Sequence, residues 1–195
     1  MKTQSIIALT VSASLLFLAS SCGGQKQAAN TYTPPVEEVM PFDTPEFKSN
    51  AEFFRAKASG VSADRNMAKT VARTSALNEL ATQVEVVVKS VIQSYANQYQ
   101  VGMETENVSK IQNMAVTAVS QQLNGAILKD EKSFRMSDGR IEYWVVLEMS
   151  RVPVMEAAES AIAADEKLGI DFNEFKFQEF FNQQMKDLEA RENAK

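Results

Sequence analysis

The sequence predicts an α+β domain: a long helix and a shorter helix packed on a small antiparallel sheet, with helices at the C-terminus. Three patterns predict it. Residues 52–60, Glu-Phe-Phe-Arg-Ala-Lys-Ala-Ser-Gly, alternate between apolar and polar positions as a half-buried strand does. Ala68, Ala72, Ala76, Leu80, Val84, Val87 and Val91 then recur at three- and four-residue steps, the spacing of one helix face. Further on, Ser137-Asp138-Gly139 separates two strand-like runs, and Asp-Gly in that setting is a hairpin signal.

In the first strand Phe54, Ala56 and Ala58 share one face, and Arg55, Lys57 and Ser59 share the other. Ser62 or Asp64 can cap the long helix, which extends about 50 Å if it runs unbroken to Gln98, at 1.5 Å per residue. The segment from Val84 to Ile92 is rich in β-branched residues, but its stripe keeps the helical phase and is read as helix. Small residues at 68, 72 and 76 let that helix approach the sheet closely. A second helix is expected over Asn107 to Leu123, with Val108, Ile111, Ala115, Ala118 and Val119 inward, stopped by Asn124-Gly125.

After the hairpin turn, Ile141, Tyr143, Val145, Leu147 and Met149 fall on one strand face, and Glu142, Trp144, Val146 and Glu148 on the other. If the first set faces the core, Trp144 and Val146 form an apolar spot on the opposite side. They make a candidate interaction surface, because tryptophan is enriched among residues that dominate interfaces. The other reading is that the C-terminal helices fold back over this spot.

Pro153 can open a helix in which Met155, Ala158, Ala161, Ile162 and Leu168 form an apolar side up to Gly169. Asp171 or Asn173 then starts a phenylalanine-rich helix whose stripe is Phe177, Phe181, Met185 and Leu188, with Phe175 and Phe180 beside it. The stripe can dock on its own domain or enter a partner's groove. In the second case Phe177, Phe181 and Met185 join the candidate interaction residues. Membrane-surface binding is disfavoured, since Glu174, Glu179, Asp187, Glu189 and Glu192 outnumber Lys176, Lys186 and Arg191.

Composition narrows the chemistry. Acidic residues exceed basic ones 25 to 20, and no basic patch interleaved with aromatics occurs, so nucleic acid is not an expected partner. Histidine is absent, which removes Ser-His-Asp and Cys-His machinery. A single cysteine can form no intramolecular disulfide and no zinc cluster. Among carboxylates, Asp130 and Glu131 are strand neighbours and point to opposite faces, while Glu142 and Glu148 share a face but lie about 20 Å apart, too far for paired acid–base work. They read as solvated strand charges. No catalytic residue, metal ligand or cofactor is predicted, and the chain is not expected to be an enzyme.

The N-terminus carries the clearest functional signal. Lys2 precedes an apolar stretch from Ile6 to Ala19, followed by Ala19, Ser20, Ser21 and Cys22. That is an export signal over residues 1–21, too short to span a bilayer comfortably, where about 20 apolar residues are needed. Ala19-Ser20-Ser21-Cys22 resembles the lipobox of bacterial lipoproteins, in the looser form of Bacteroidota, and implies a diacylated Cys22. Ordinary cleavage after Ser21 stays open, but it leaves an exposed, unpaired thiol at the new N-terminus. Residues 22–45, rich in Gly, Gln, Ala, Asn, Thr and Pro, read as a tether with an r.m.s. reach of roughly 25–30 Å. Gly23, not Asp, follows the cysteine, and no acidic cluster follows, so the expected location is the periplasmic face of an outer membrane.

Between Phe53 and Arg151, the run Phe54-Arg-Ala-Lys-Ala-Ser-Gly60, the segments Ala72-Arg73, Ala76 and Glu79-Leu80-Ala81, and Gly125-Ala126 leading to Tyr143-Trp-Val-Val-Leu147 resemble the LPP20 lipoprotein family and the related N-terminal domain of the flagellar assembly protein FlgT. The resemblance implies an antiparallel sheet wrapped against a long helix over residues 46–152, with 153–195 as a helical extension. It implies no catalytic residue. The expected role is a lipid-anchored envelope module that binds other envelope proteins or itself. A small-ligand binder with a cavity between helix and sheet is the alternative.

Overall fold

The computed structural model describes residues 39–99, 105–164 and 172–194. Three strands, β1 (Phe53–Ser62), β2 (Ile127–Arg135) and β3 (Ile141–Ser150), form one antiparallel sheet in the order β1-β3-β2. Four helices accompany them: α1 (Arg65–Tyr99), α2 (Thr105–Ser120), α3 (Arg151–Ala163) and α4 (Glu174–Asn193). The α+β class and the C-terminal helices are as expected from the sequence.

The register pairs Phe54 with Met149, Ala56 with Leu147 and Gly60 with Tyr143, so one sheet face collects the apolar side chains of both strands. Ala68, Ala72, Ala76 and Leu80 of α1 lie fully buried on that face. Their small size sets the spacing. A Cβ added at Gly60 would stand 2.4 Å from the Ala68 carbonyl oxygen and 2.6 Å from the Ala72 nitrogen, so glycine is required by close approach alone. Asp64 starts α1 by accepting from the Met67 N–H at 2.8 Å, while Ser62 accepts from the Asp64 N–H. At the hairpin, Gly139 takes φ 86°, a left-handed conformation open to glycine, and Asp138 accepts from the Arg140 N–H at 3.0 Å.

Length explains the remaining layers. With 35 residues α1 extends about 52 Å, whereas a ten-residue strand covers about 33 Å, so the helix outruns its sheet. The surplus half, including Val84, Val88, Val91 and Tyr95, is buried by α2, α3 and α4. Helical phase therefore prevails over β-branching from Val84 to Ile92. The second helix ends at Ser120 and passes into a 3-10 turn, Gln121–Gly125, with Ala118 half-buried.

The structure decides two expectations about the C-terminus. Of the two readings of the phenylalanine stripe, docking on its own domain is the one observed and the partner groove is not: Phe177, Phe181 and Met185 are fully buried, packed with Leu188 against the far half of α1. Phe177 meets Tyr95 edge to face at 6.1 Å, and the Asn173 N–H donates to the Tyr95 hydroxyl at 2.8 Å. Residues 153–195 are likewise no appendage, because α3 follows β3 directly and shares its core, with Ser150 as N-cap. Leu168 and Gly169 lie outside the described residues.

Candidate functional site

The outer face of the sheet is where the structure departs most from the sequence reading. Cross-strand pairing arranges it in rows: Ser59, Trp144 and Lys132; Lys57, Val146 and Asp130; Arg55, Glu148 and Ile127. Trp144 and Val146, read either as an exposed apolar spot or as a face covered by the C-terminal helices, follow neither reading: Val146 is fully buried and Trp144 half-buried, under a different segment. The cover is the segment 39–49, expected to belong largely to the tether. Lys57 donates to the Phe42 carbonyl at 3.3 Å, and the Lys132 ammonium stands 4.6 Å from the centre of the Phe42 ring. Because those lysines flank Val146 and Trp144 on opposite strands, Phe42 sits above β3 between them.

This strap is well held. Phe42 is only 4% exposed and meets Phe47 edge to face at 4.8 Å. Asp43 pairs with Lys57 at 2.6 Å, the Arg55 guanidinium donates to the Lys48 carbonyl at 2.8 Å, and Lys48 donates to the Glu192 carbonyl of α4 at 2.9 Å. Two features run against its stability. Phe42 has φ 61°, a conformation that costs a residue with a Cβ roughly 1–2 kcal/mol, and the Trp144 indole N–H is buried without a partner.

Two of the sheet carboxylates, Glu148 and Glu131, are engaged in ion pairs, whereas half-buried Glu142 has none among the described residues. Glu148, read as a solvated strand charge, is instead half-buried and binds Arg55 at 2.5 Å and Lys129 at 2.9 Å. Burial pushes its carboxyl up, but the hydrogen bonds from Lys129 and Arg55 outweigh this and hold it below the ordinary carboxylate value. Glu131 pairs with Lys69 at 2.7 Å; that hydrogen bond lowers the Glu131 carboxyl and raises the Lys69 ammonium. Burial raises the Tyr143 hydroxyl beside them. Among the described residues no group of three or more acidic or cysteine side chains could hold a metal ion, and no helix is long and apolar enough to cross a membrane.

A cavity of about 500 Å³ opens beside the strap, along the free edge of β1, between Asp43 and Phe47 on one side and Ser75, Glu79 and Gln83 of α1 on the other. The predicted site residues therefore separate into three places. Trp144 and Val146 lie under the strap, Phe177, Phe181 and Met185 lie in the helical core, and Cys22 lies outside the described residues. Phe42 and Ser49, which shape the strap and the edge, carried no periodic signal in the sequence. Comparison with protein-family models, with curated proteins and with solved structures finds no match to this chain.

Proposed function

We propose that the protein is a lipid-anchored envelope lipoprotein whose folded domain is a non-enzymatic protein-interaction module, held through acylated Cys22 at the periplasmic face of an outer membrane. The observation that carries this reading is the apolar stretch Ile6 to Ala19 running into Ala19-Ser20-Ser21-Cys22, followed by a Gly-, Gln- and Pro-rich segment. The resemblance to the LPP20 lipoproteins supports the same reading. So does the employment of the sheet carboxylates Glu131 and Glu148 in ion pairs, which leaves them no acid–base task. Small-ligand binding between helix and sheet has no room at Gly60, where a methyl group would not fit; the one observation that favours it is the cavity of about 500 Å³ between the β1 edge and Ser75, Glu79 and Gln83 of α1.

Membrane fractionation of the Cys22→Ala variant tests the anchor. Two acyl chains contribute about 0.8 kcal/mol per buried CH₂, so the variant should move to the soluble fraction, and mass spectrometry of the native N-terminal peptide should show acyl additions. A variant that stays membrane-bound and is still processed sinks the proposal.

A further inference from the structure

β1 is an edge strand, and its free edge is closed over only half its length. The Asn50 side chain accepts from the Phe53 N–H at 2.9 Å, and the Asn50 N–H donates to the Phe53 carbonyl at 2.9 Å. One step further, the Ser49 hydroxyl accepts from the Arg55 N–H at 2.8 Å and donates to the Arg55 carbonyl at 3.0 Å. Ser49 and Asn50 thus imitate a neighbouring strand. Since residues 53 and 55 turn their backbone groups away from β3, alternation turns those of Lys57 and Ser59 the same way. Among the described residues these backbone groups have no hydrogen-bond partner.

The groove is lined by Arg55 to Ala58, so it runs from the closed half of the edge into the start of the unpaired half. Ser75, Glu79 and Gln83 follow one another at four-residue steps along one side of α1, and the Gln83 side chain closes one end by contacting Ser49 at 2.8 Å. At the other end Val61, Met67 and Val71 are exposed. The opposite edge of the sheet differs, because β2 carries a bulge between Leu128 and Asp130 and a run of charges, devices that discourage strand addition. Charge inside the β1 groove is also uneven. Arg55, Lys57 and Asp43 are in ion pairs and Lys48 is turned to the Glu192 carbonyl of α4, whereas Glu79 has no ion pair among the described residues.

We propose that the Lys57 to Val61 half of β1 is a strand-addition site for an extended segment of a partner protein, one that presents a basic side chain to Glu79 and an apolar one to Val71. An added strand satisfies the outward backbone groups by main-chain hydrogen bonds, and alternate side chains supply the selectivity. Val71 and Glu79 are about 12 Å apart along α1, so the two recognition residues stand about four positions apart on one face of the added strand. The site names the partner chemistry of the interaction module and rests on that part of the proposed function, not on the anchor.

The probe is a nine-residue blocked peptide of alternating threonine and valine whose last valine is replaced by lysine, added to the purified full chain. Fluorescence anisotropy should show saturable binding, and amide exchange should slow across Lys57 to Val61. A glutamate in place of the lysine should weaken binding about tenfold, and Glu79→Lys should reverse that order. Ser59→Pro removes one outward N–H at an edge position, where proline is tolerated, and should abolish binding. Should that variant unfold, the Glu79→Lys reversal decides alone. Binding without slowed exchange in β1, insensitivity to Glu79→Lys, or no saturation at millimolar peptide overturns the site. A dimer of the chain itself that Ser59→Pro dissociates would assign the edge to a second copy and overturn the partner. Neither result bears on membrane release of Cys22→Ala, so the anchor and the site fail separately.

Discussion

Glu148 and Glu159 are both carboxylates in partly buried positions, and the structure gives them opposite linkages to pH. Glu148 is held below its ordinary value by Lys129 and Arg55 in spite of burial, so its stabilisation is present above the unfolded value and lost as pH falls through the folded one. Removing it strands a buried guanidinium, and Glu148→Ala should cost about 3–5 kcal/mol by denaturant titration. Glu159 on α3 is raised, mainly by burial, and one of its oxygens is buried without a hydrogen bond. Its protonated form is favoured in the folded state, so it stabilises below the unfolded value and that contribution disappears as pH rises through the folded one. Glu159→Gln should therefore raise the melting temperature at neutral pH and leave it nearly unchanged at about pH 4, near the ordinary carboxylate value. A gain of the same size at both pH values would contradict the assignment. Neither linkage was legible in the sequence. Alternation tells which face of a strand Glu148 occupies, but the Arg55 that pairs with it stands 93 residues away and meets it only through the register of β1 on β3.

Elements were far more legible than their covers. The alanine stripe at 68, 72 and 76 announces a close helix–sheet contact because only small side chains let a helix backbone approach a strand, and Gly60 completes that contact from the other side. Ala76→Leu should overpack it and cost about 1–3 kcal/mol. The same change at half-exposed Lys69 loses its ion pair with Glu131 and its contact with the Tyr143 ring and should cost about 1 kcal/mol. Equal melting temperatures for the two variants would be inconsistent with this packing. The strap shows where periodicity stops informing. A helix or strand repeats its apolar residues, but Phe42 is a single knob between Pro41 and Pro45, and nothing local separates such a knob from a tether residue. For the same reason the burial of Val146 was out of reach. Its face followed from alternation, while its cover comes from about a hundred residues earlier in the chain.

At the scale of the whole molecule, α1 serves as a common spine for one continuous core with two covers, which touch where Lys48 donates to the Glu192 carbonyl. Over its first half the helix and the strap enclose the sheet from opposite faces. Over its second half α2, α3 and α4 enclose the helix itself. The C-terminal phenylalanines therefore do not shield the hairpin tryptophan, although both were candidate surfaces in the sequence, and the two covers should respond separately to mutation. Phe42→Ala removes the knob above Trp144 and relieves a left-handed phenylalanine. It should shift native Trp144 emission to the red, and it should cost less than the roughly 3–5 kcal/mol typical of a core phenylalanine. Phe181→Ala opens a cavity in the helical core and should cost that full amount, yet its folded state should keep the wild-type emission because nothing near Trp144 has changed. Trp144 is the chain's single tryptophan, so the emission reports on that face alone. A red shift in folded Phe181→Ala, or none in Phe42→Ala, would mean that α4 and not the strap covers the outer face of the sheet.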